Sequence, residues 1–585
     1  MSSSHRVSEL FDRGRQANAA GRPGEGERLL RRALAQVERD GAAAAGALDA
    51  VAGGPADVEE VKARLLLSLS TSLVERRGPG AALDVAGQAL EIARGRPVGM
   101  RGAGALQALC RSQLAMIHGR AGDPAAALAE LRAASSTAHE LGPRERATNL
   151  GLQGLLHLEQ PDPARAAVAF RQAADLAAGH GLQQHEFMAR HNLGLAAYVA
   201  GDLSRALTLM READRIPADV SRAVAWHGRA RVLMEAGLVD EAAQLLARAA
   251  AEGERDGQRL VTGQALIDLA TCQLMLGRPE AAVSLSRQAR DSLGRRLAPG
   301  LRRQAELVLI SARRRTGTGL AQVVTGALGL AAHFDRAGDV VAADVARVVA
   351  AEALVALGRP VEAVATLGAT GRTSRLVSLT TRLRVRTVRI AAAHREGRAG
   401  VARRHLRAAL EDVEEALGQS ASLDLRAALL VHTQELADLD LEVAGGRALD
   451  RLVAVERWRE VASRTPTLRA PSEPGLARKV AELRQLRQQA SEDPGRAAAL
   501  AGPVSLLERE VAEASWAARS DAVPGRQGPV TRQGAGLRER LREQDCALVA
   551  YSESRGRVGA VAVDGAGRDG STWVTAPRSR RSRGA

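Results

Sequence analysis

Residues 190–214 read RHNLGLAAYVAGDLSRALTLMREAD, and residues 224–250 read VAWHGRARVLMEAGLVDEAAQLLARAA. In each, a glycine (Gly201, Gly237) separates two apolar runs of helical period. A small residue follows five positions on (Ala206, Ala242), an apolar one four later (Met210, Leu246), and alanine three after that (Ala213, Ala249). Each part of this grammar has a physical reason. Glycine accepts the left-handed backbone that ends a first helix and begins the turn. The small residue lets the second helix approach the first, and the i, i+4, i+7 spacing turns one face toward a neighbour. The stretch therefore predicts a pair of antiparallel helices built to stack on further pairs.

The same grammar recurs outward in both directions. It places Gly21, Gly26, Leu30 and Ala33 near the N-terminus, then Gly122, Asp123 and Pro124 ahead of Ala127, Leu131 and Ala134. Ala166, Phe170 and Ala173 follow, and later Gly277 with Ala282 and Ala289, Gly358 with Ala363 and Leu367, and Gly397 with Ala402, Leu406 and Ala409. The small positions 127, 166, 206, 242 and 282 lie 36–40 residues apart. The interval from Ala282 to Ala363 spans about two such periods, which predicts a further unit near 303–330. The grammar resembles the tetratricopeptide repeat, most clearly in Leu193-Gly194 and Trp226. Its structural signature here is Leu193, Gly194, Gly201, Ala206, Ala213, Trp226, Gly237, Ala242 and Ala249. The expected fold class is all-α: a tetratricopeptide-like solenoid over 7–416 of roughly nine or ten hairpins, with a small incomplete β/α fragment at the C-terminus.

Composition supports an array over one large core. The chain has 585 residues of which only 2% are aromatic, so its interiors must form from small side chains packed closely between helices. Three cysteines without a spacing pattern argue against a disulfide scaffold. Met1 to Gln16 holds no apolar run, and no uninterrupted apolar stretch reaches the ~18 residues of a membrane span. The reading is a soluble, cytoplasmic protein with no membrane partner. The net charge is +15, carried almost wholly by arginine, since Lys62 and Lys479 are the only lysines. Residues 295–408 hold 21 arginines against 7 carboxylates. The candidate basic surface is Arg382, Arg384, Arg386, Arg389, Arg403 and Arg404. One reading makes it a solvated face whose arginine stems cover apolar surface. The other makes it a groove for an acidic protein segment or a polyanion. The scarcity of aromatics nearby disfavours single-stranded nucleic acid.

Beyond the repeats the pattern changes. Residues 41–55 read as a low-complexity loop, and 417–520 as a helical connector ending in helices over 476–490 and 504–518. A Gly/Pro/Gln linker covers 521–536, a short helix runs from Leu537 to Glu543, and apolar β-branched runs at 545–551 and 558–564 predict strands. Residues 571–575 fit a third strand, and 576–585 form an Arg-rich disordered tail.

The order of these parts carries a second resemblance. Repeats are followed by Glu456-Arg457-Trp458-Arg459, by Leu507-Glu508-Arg509-Glu510, and by a short helix entering Ala547-Leu548-Val549-Ala550-Tyr551. This looks like bacterial CHAT proteins, in which such repeats accompany a caspase-like domain. The resemblance implies that 537–575 is the N-terminal fragment of that domain, and that the family's activity is a cysteine peptidase using a His–Cys dyad. A thiolate nucleophile needs a histidine within hydrogen-bond reach. No histidine follows His432, and Cys546 sits at the entry to the first strand. His118, His180 and His227 precede glycine but lie within repeats; Cys110 and Cys272 fall on helix faces. No catalytic residue carries over. The expectation is a truncated, catalytically incompetent domain, whose few strands would be marginal alone and expose open edges. The alternative is the N-terminal part of a CHAT peptidase whose dyad lies beyond this sequence.

Other motifs lead nowhere. Gly565-Ala566-Gly567-Arg568-Asp569-Gly570 matches a dinucleotide fingerprint, but a strand follows it where a helix is required. His185-Glu186 with His191 resembles a zinc-protease fragment, yet the spacing rotates the second histidine off the face of the first. Neither lysine completes a P-loop, and no helix-turn-helix separates from the repeats. No cofactor or metal is expected. The function expected is a protein–protein interaction scaffold, with a peptide or helix of a partner in the solenoid groove; polyanion binding by 295–408 is a third reading.

Overall fold

The computed structural model describes residues 3–49, 56–97, 100, 102–121, 123–160, 162–294, 298–368, 378–418, 423–463, 474–492, 494–517, 536–554 and 557–575. Most of the 521–536 linker and the 576–585 tail lie outside them. The fold is an all-α solenoid of helical hairpins with one small sheet. The hairpins pair Ser3–Ala19 (α1) with Pro23–Asp40 (α2), Val58–Arg77 (α3) with Pro79–Arg94 (α4), and Ala103–Ala121 (α5) with Pro124–Ser135 (α6). Next come Pro143–Glu159 (α7) with Pro163–Gly179 (α8), Gln183–Val199 (α9) with Leu203–Asp214 (α10), Ala223–Glu235 (α11) with Val239–Arg255 (α12), and Arg259–Met275 (α13) with Pro279–Leu293 (α14). Pro299–Thr316 (α15), Leu320–Arg336 (α16), Val340–Ala356 (α17), Pro360–Leu367 (α18), Leu379–Arg395 (α19) and Ala399–Gly418 (α20) continue the order. The unit expected near 303–330 is thus present as α15 and α16.

The turns form as their residues dictate. Gly201 has φ +86°, and the next amide, Asp202 N, donates back to Ala197 O at 3.0 Å. That pattern closes the first helix with a left-handed residue. Asp202 then starts the second helix, its carboxylate accepting from Arg205 N at 2.9 Å. Asp123 and Asp162 do the same for Ala126 and Arg165. Proline opens α6, α8, α14 and α18, where its missing N–H would have had no intrahelical partner.

Packing inside a hairpin depends on a glycine of the first helix facing a large side chain sixteen residues on. A Cβ added to Gly14 would lie 2.8 Å from Leu30, one on Gly154 would lie 2.5 Å from Phe170, and one on Gly194 would lie 2.6 Å from Met210. Ala166, Ala206, Ala242 and Ala282 are buried on the second helices, and their carbon count sets how near the helices come.

By contact the chain divides into two compact units. One comprises Met1–Met234, Leu238–Thr318 and Gly329–Ala343; the other comprises Glu235–Gly237, Gly319–Leu328 and Asp344–Ala585. The stretch 7–416, expected as one array, therefore contributes to both. In the first unit the hairpins wind round until α13 and α14 meet the beginning of the chain. One apolar core joins Val7, Phe11 and Leu30 to Leu260, Ile267 and Leu293. At the turn of the first hairpin, Ser221 N faces Ala19 O at 3.5 Å. A buried ion network braces the same unit: Arg64 pairs with Glu60 and Glu145 at 3.1 and 2.9 Å, and Arg96 with Asp57 and Glu60 at 2.9 and 3.3 Å. Glu27 receives Arg31, Arg76 and Arg77; burial pushes its carboxyl up, but these guanidiniums outweigh burial and hold it below the ordinary range.

In the second unit, Gln434–Ala444 (α22, after the short α21 at Leu423–Leu429) and Ala448–Ser463 (α23) form a hairpin. It is clamped by buried Asp440, which accepts from Arg457 at 2.5 Å and from Trp458 Nε1 at 3.1 Å. Pro474–Glu492 (α24) pairs with Pro494–Ala517 (α25), and Lys479–Glu510 at 2.9 Å joins them. Leu537–Glu543 (α26) then leads into β1 (Ala547–Ser554), β2 (Arg557–Asp564) and β3 (Gly570–Thr575). The order is β1-β2-β3, antiparallel throughout, with Ala550 opposite Val561 and Val558 opposite Val574. The sheet, expected to be marginal by itself, packs on helices of the same unit. Ala550, Val561 and Val563 pack on Ala448, Leu452 and Val455 of α23 and on Leu541 of α26. Arg459 also donates to Tyr551 O at 2.6 Å and Arg451 to Ser571 Oγ at 2.7 Å.

The close helix approach is testable. Gly194→Val should destabilise the chain by about 2–3 kcal/mol, read as a lower urea midpoint, because the new side chain enters space held by Met210 and by Ala206 O. Met210→Ala in the same chain should recover part of that loss, whereas strictly additive losses would refute the contact.

Candidate functional site

The winding of the first unit leaves a half-open cavity of about 790 Å³. Its wall is made by the first helices of seven successive hairpins, α1, α3, α5, α7, α9, α11 and α13, and by the turns beside them. Of the second helices only Pro23 lines the cavity among the described residues, and those helices pack on the first helices of following hairpins. Because the array winds as it advances, α1, α3 and α5 present their C-terminal halves to the cavity, and α9, α11 and α13 their N-terminal turns.

The wall is mixed in character. Met116, Leu152, Met188 and Val261 supply apolar surface, with two methionines able to adapt to irregular shapes. Between them stand the amides of Gln16, Asn18, Gln184, Asn192 and Gln258. Asn18 is fully engaged, donating to Ser68 O at 3.0 Å and accepting from Ser72 at 2.7 Å. Buried Gln258, beside the turn at Gly21, has an Oε1 with no partner among the described residues. The charged residues of the wall are Asp12, Arg15, Glu75, Arg120 and Arg144, of which Arg120 and Glu75 pair with one another. Arg15 lies over the Phe11 ring, 5.3 Å from its centroid. His185 is neutral at pH 7: burial, then Arg144 and Arg15, lower its pKa to about 4. Among the described residues no Phe, Tyr or Trp side chain lines the cavity. Such a wall can bind an extended chain through amide hydrogen bonds and apolar contacts.

The residues singled out by the repeat pattern are structural. Gly194 packs on Met210; Ala206, Ala213, Ala242 and Ala249 are buried; Leu193 is half-buried; Gly201 and Gly237 make turns at positive φ. Trp226 lies under Arg248, 4.2 Å from the ring centroid. The candidate basic surface is divided. Arg384 meets Glu352 at 2.8 Å, Arg386 meets Asp412 at 3.0 Å, and Arg382 lies 3.9 Å from the same carboxylate. Arg389 lines a smaller cavity of about 590 Å³ with Arg398 and His405, while Arg403 and Arg404 stand exposed on α20.

The nucleophile candidates are not activated. Cys110 and Cys272 are buried, and desolvation pushes both thiols up to about 12. Cys546 is exposed, its nearest polar partner being Gln544. His185 and His191 share α9, but His191 is buried against Phe187 with Nε2 unpartnered among the described residues. Among those residues no group of three His, Cys, Asp or Glu side chains could hold a metal. Of the cavity residues, His185 stood out in sequence only as part of a metal-like motif, and Arg15, Arg144 and Gln258 did not, because separate hairpins supply them.

A tetratricopeptide-repeat family model matches residues 221–293. No curated protein matches the chain in sequence. Among solved structures, a Rap protein complexed with competence and sporulation factor is similar, at 13% identity and TM-score 0.40, over 58% of this chain and 94% of that one. The apo quorum sensor NprR from B. thuringiensis is similar at 14% identity and TM-score 0.42, over 63% of this chain and 96% of that one. Yeast Tom70 is similar at 13% identity and TM-score 0.30, over 81% and 99%. The repeats are thus tetratricopeptide-like.

Acid should weaken the first unit in a defined window. Burial, with Arg229 and Arg222, lowers the pKa of His191 to about 4 from an ordinary 6.5. Between those values the unfolded chain binds more protons, so stability present above pH 6.5 is lost as pH falls toward 4, by on the order of 2–3 kcal/mol. Urea midpoints measured from pH 7 to pH 4.5 should show this slope, and His191→Gln should flatten part of it. An unchanged slope in that variant would show that His191 titrates normally.

Proposed function

We propose that this chain is a protein-interaction module that holds an extended peptide segment of a partner inside the cavity of its first unit. One observation carries the reading: seven consecutive hairpins turn the same helix toward one cavity, whose wall mixes polar and adaptable apolar side chains. An extended peptide satisfies such a wall along its whole length, since each of its residues offers an N–H and a C=O. The smallness of the turn residues and second-helix alanines serves this end by keeping the hairpins close enough to enclose the space.

The same reading assigns the chain no catalysis of its own. Two of its thiols are shifted away from the thiolate form, and the third, Cys546, meets Gln544. The C-terminal sheet is read as the opening of a caspase-like domain of the CHAT type. Its antiparallel β1–β2 hairpin, its place after a helical array and the Arg457-Trp458 pair on the preceding helix support that reading. Docking of the sheet on α23 would then tie such a domain to the helices before it. A cytoplasmic location belongs to the same proposal; among the described residues no helix is long and apolar enough to cross a membrane.

Gly151 provides the test. It lines the cavity, and a Cβ there meets nothing within 4 Å, so Gly151→Trp can fill the space without disturbing the helix. Gly151→Ala, the control, should raise stability by up to ~1 kcal/mol through helix propensity. The full chain should retain members of a random hexapeptide library, the alanine variant should retain them equally, and the tryptophan variant should not. Equal retention by the tryptophan variant, or none by the unmodified chain, would refute binding in the cavity.

A further inference from the structure

The cavity wall carries an apolar stripe that the packing between hairpins does not absorb. Met116 on α5, Leu155 on α7, Met188 on α9 and Val224 on α11 line the cavity, one from each of four successive first helices. Leu155 and Val224 are 39% and 40% exposed, and the two methionines are half-buried. Val74 and Val261 also reach the cavity, but both are buried in the packing beneath it. Large apolar side chains left open on a concave wall mark a place where another surface sits. The stripe itself is uncharged, and Arg120, four residues beyond Met116, is answered by Glu75. It therefore asks its occupant for apolar surface and not for charge.

The spacing of the stripe limits what can lie along it. Consecutive first helices touch directly, α5 with α7 and α7 with α9, and the axes of packed helices stand ~8–10 Å apart. The stripe thus repeats once per hairpin at about that interval. A β-strand returns a side chain to the same face every second residue, after ~6.6 Å, and falls out of step. A polyproline II chain has three residues per turn and rises ~3.1 Å per residue, so every third side chain returns after ~9.3 Å. An α-helix returns after seven residues and ~10.5 Å, but its N–H groups are bonded within it. A polyproline II chain keeps its N–H and C=O groups free. Polar partners for them stand beside the stripe: His185 and Ser221 line the cavity three residues before Met188 and Val224.

We propose that Met116, Leu155, Met188 and Val224 form a ladder of apolar subsites, one per hairpin, for a partner segment in polyproline II conformation with an aliphatic side chain at every third residue. This rests on the peptide-binding reading of the cavity and specifies its ligand. Grooves that take polyproline II chains by their prolines are lined with aromatic rings. Among the described residues this wall has no Phe, Tyr or Trp, so its anchors are leucine, isoleucine, valine or methionine of the partner. The two methionines of the ladder adapt to differences of shape among these.

The test uses the full chain and a positional-scanning library of N-acetylated, C-terminally amidated decapeptides, long enough to reach all four rungs. Aliphatic residues should be enriched at four positions, each three apart. Leu155→Gln should weaken the best peptide about tenfold, as loss of one apolar anchor does, and relax the preference at a single position. Val224→Thr, which keeps the branched shape, should relax a different position, six residues away. Both side chains stand open to the cavity, so both variants should keep the urea midpoint of the parent. Enrichment at alternate positions would mark a strand, and enrichment three, four and seven apart a helix. Either pattern, no aliphatic enrichment, or two variants that do not relax positions six apart would overturn the ladder and leave the peptide cavity standing. Retention of no peptide, or equal retention by Gly151→Trp, would overturn both readings.

Discussion

The distance between the two helices of a hairpin governs this molecule. With four Trp, two Tyr and four Phe in 585 residues, the chain cannot fill wide spaces between helices. It closes the spaces instead, by setting glycine on one helix against a single large side chain on the next: Gly14 with Leu30, Gly154 with Phe170, Gly194 with Met210. Alanine completes the contact on either side. Dispersion falls off steeply with separation, so a core of small residues coheres only at such close range. The curvature that encloses the cavity follows from this. Second helices pack on the first helices of following hairpins, and one apolar core joins the seventh hairpin to the first.

Charge plays a different part from the one its total suggests. Nearly every cation is arginine, and the described structure uses many of them in pairs: Arg64 and Arg96 with Glu60, three arginines on Glu27, Arg384 on Glu352, and Arg457 with Trp458 on Asp440. A buried ion pair adds little net stability, but losing one partner leaves a costly bare charge. Such pairs therefore fix which surfaces can meet. Within 295–408, Arg384 and Arg386 are answered in this way by Glu352 and Asp412, while Arg403 and Arg404 remain exposed. Two arginines that lie elsewhere, Arg15 and Arg144, line the cavity instead.

The C-terminal sheet shows how context alters what a short segment can do. Three strands with open edges are marginal in isolation. Here Val561 and Val563 find a partner in Leu452 and Val455, and Arg459 occupies a carbonyl at the β1 edge. The helix that does this also bears Arg457 and Trp458, so one segment both clamps the preceding helix and carries the sheet. The outer face keeps Val549, Tyr551 and Val574 in solvent.

The sequence alone determined the hairpins. Gly201 before Asp202, Ala206 against Met210 and the spacing of Gly237, Ala242 and Leu246 are local signals, because a turn, a cap and a helix face are decided within a few residues of one another. The strands at 547–554 and 557–564 were legible for the same reason. The meeting of Arg15, Arg144, His185 and Gln258 was not. Small rotations between successive hairpins, summed over seven of them, bring these four residues to one cavity, and no local pattern encodes that sum. The docking of the sheet on α23 was hidden likewise, since it joins Val561 to Leu452 across more than a hundred residues of intervening chain. Only the tertiary structure decided where this chain can bind.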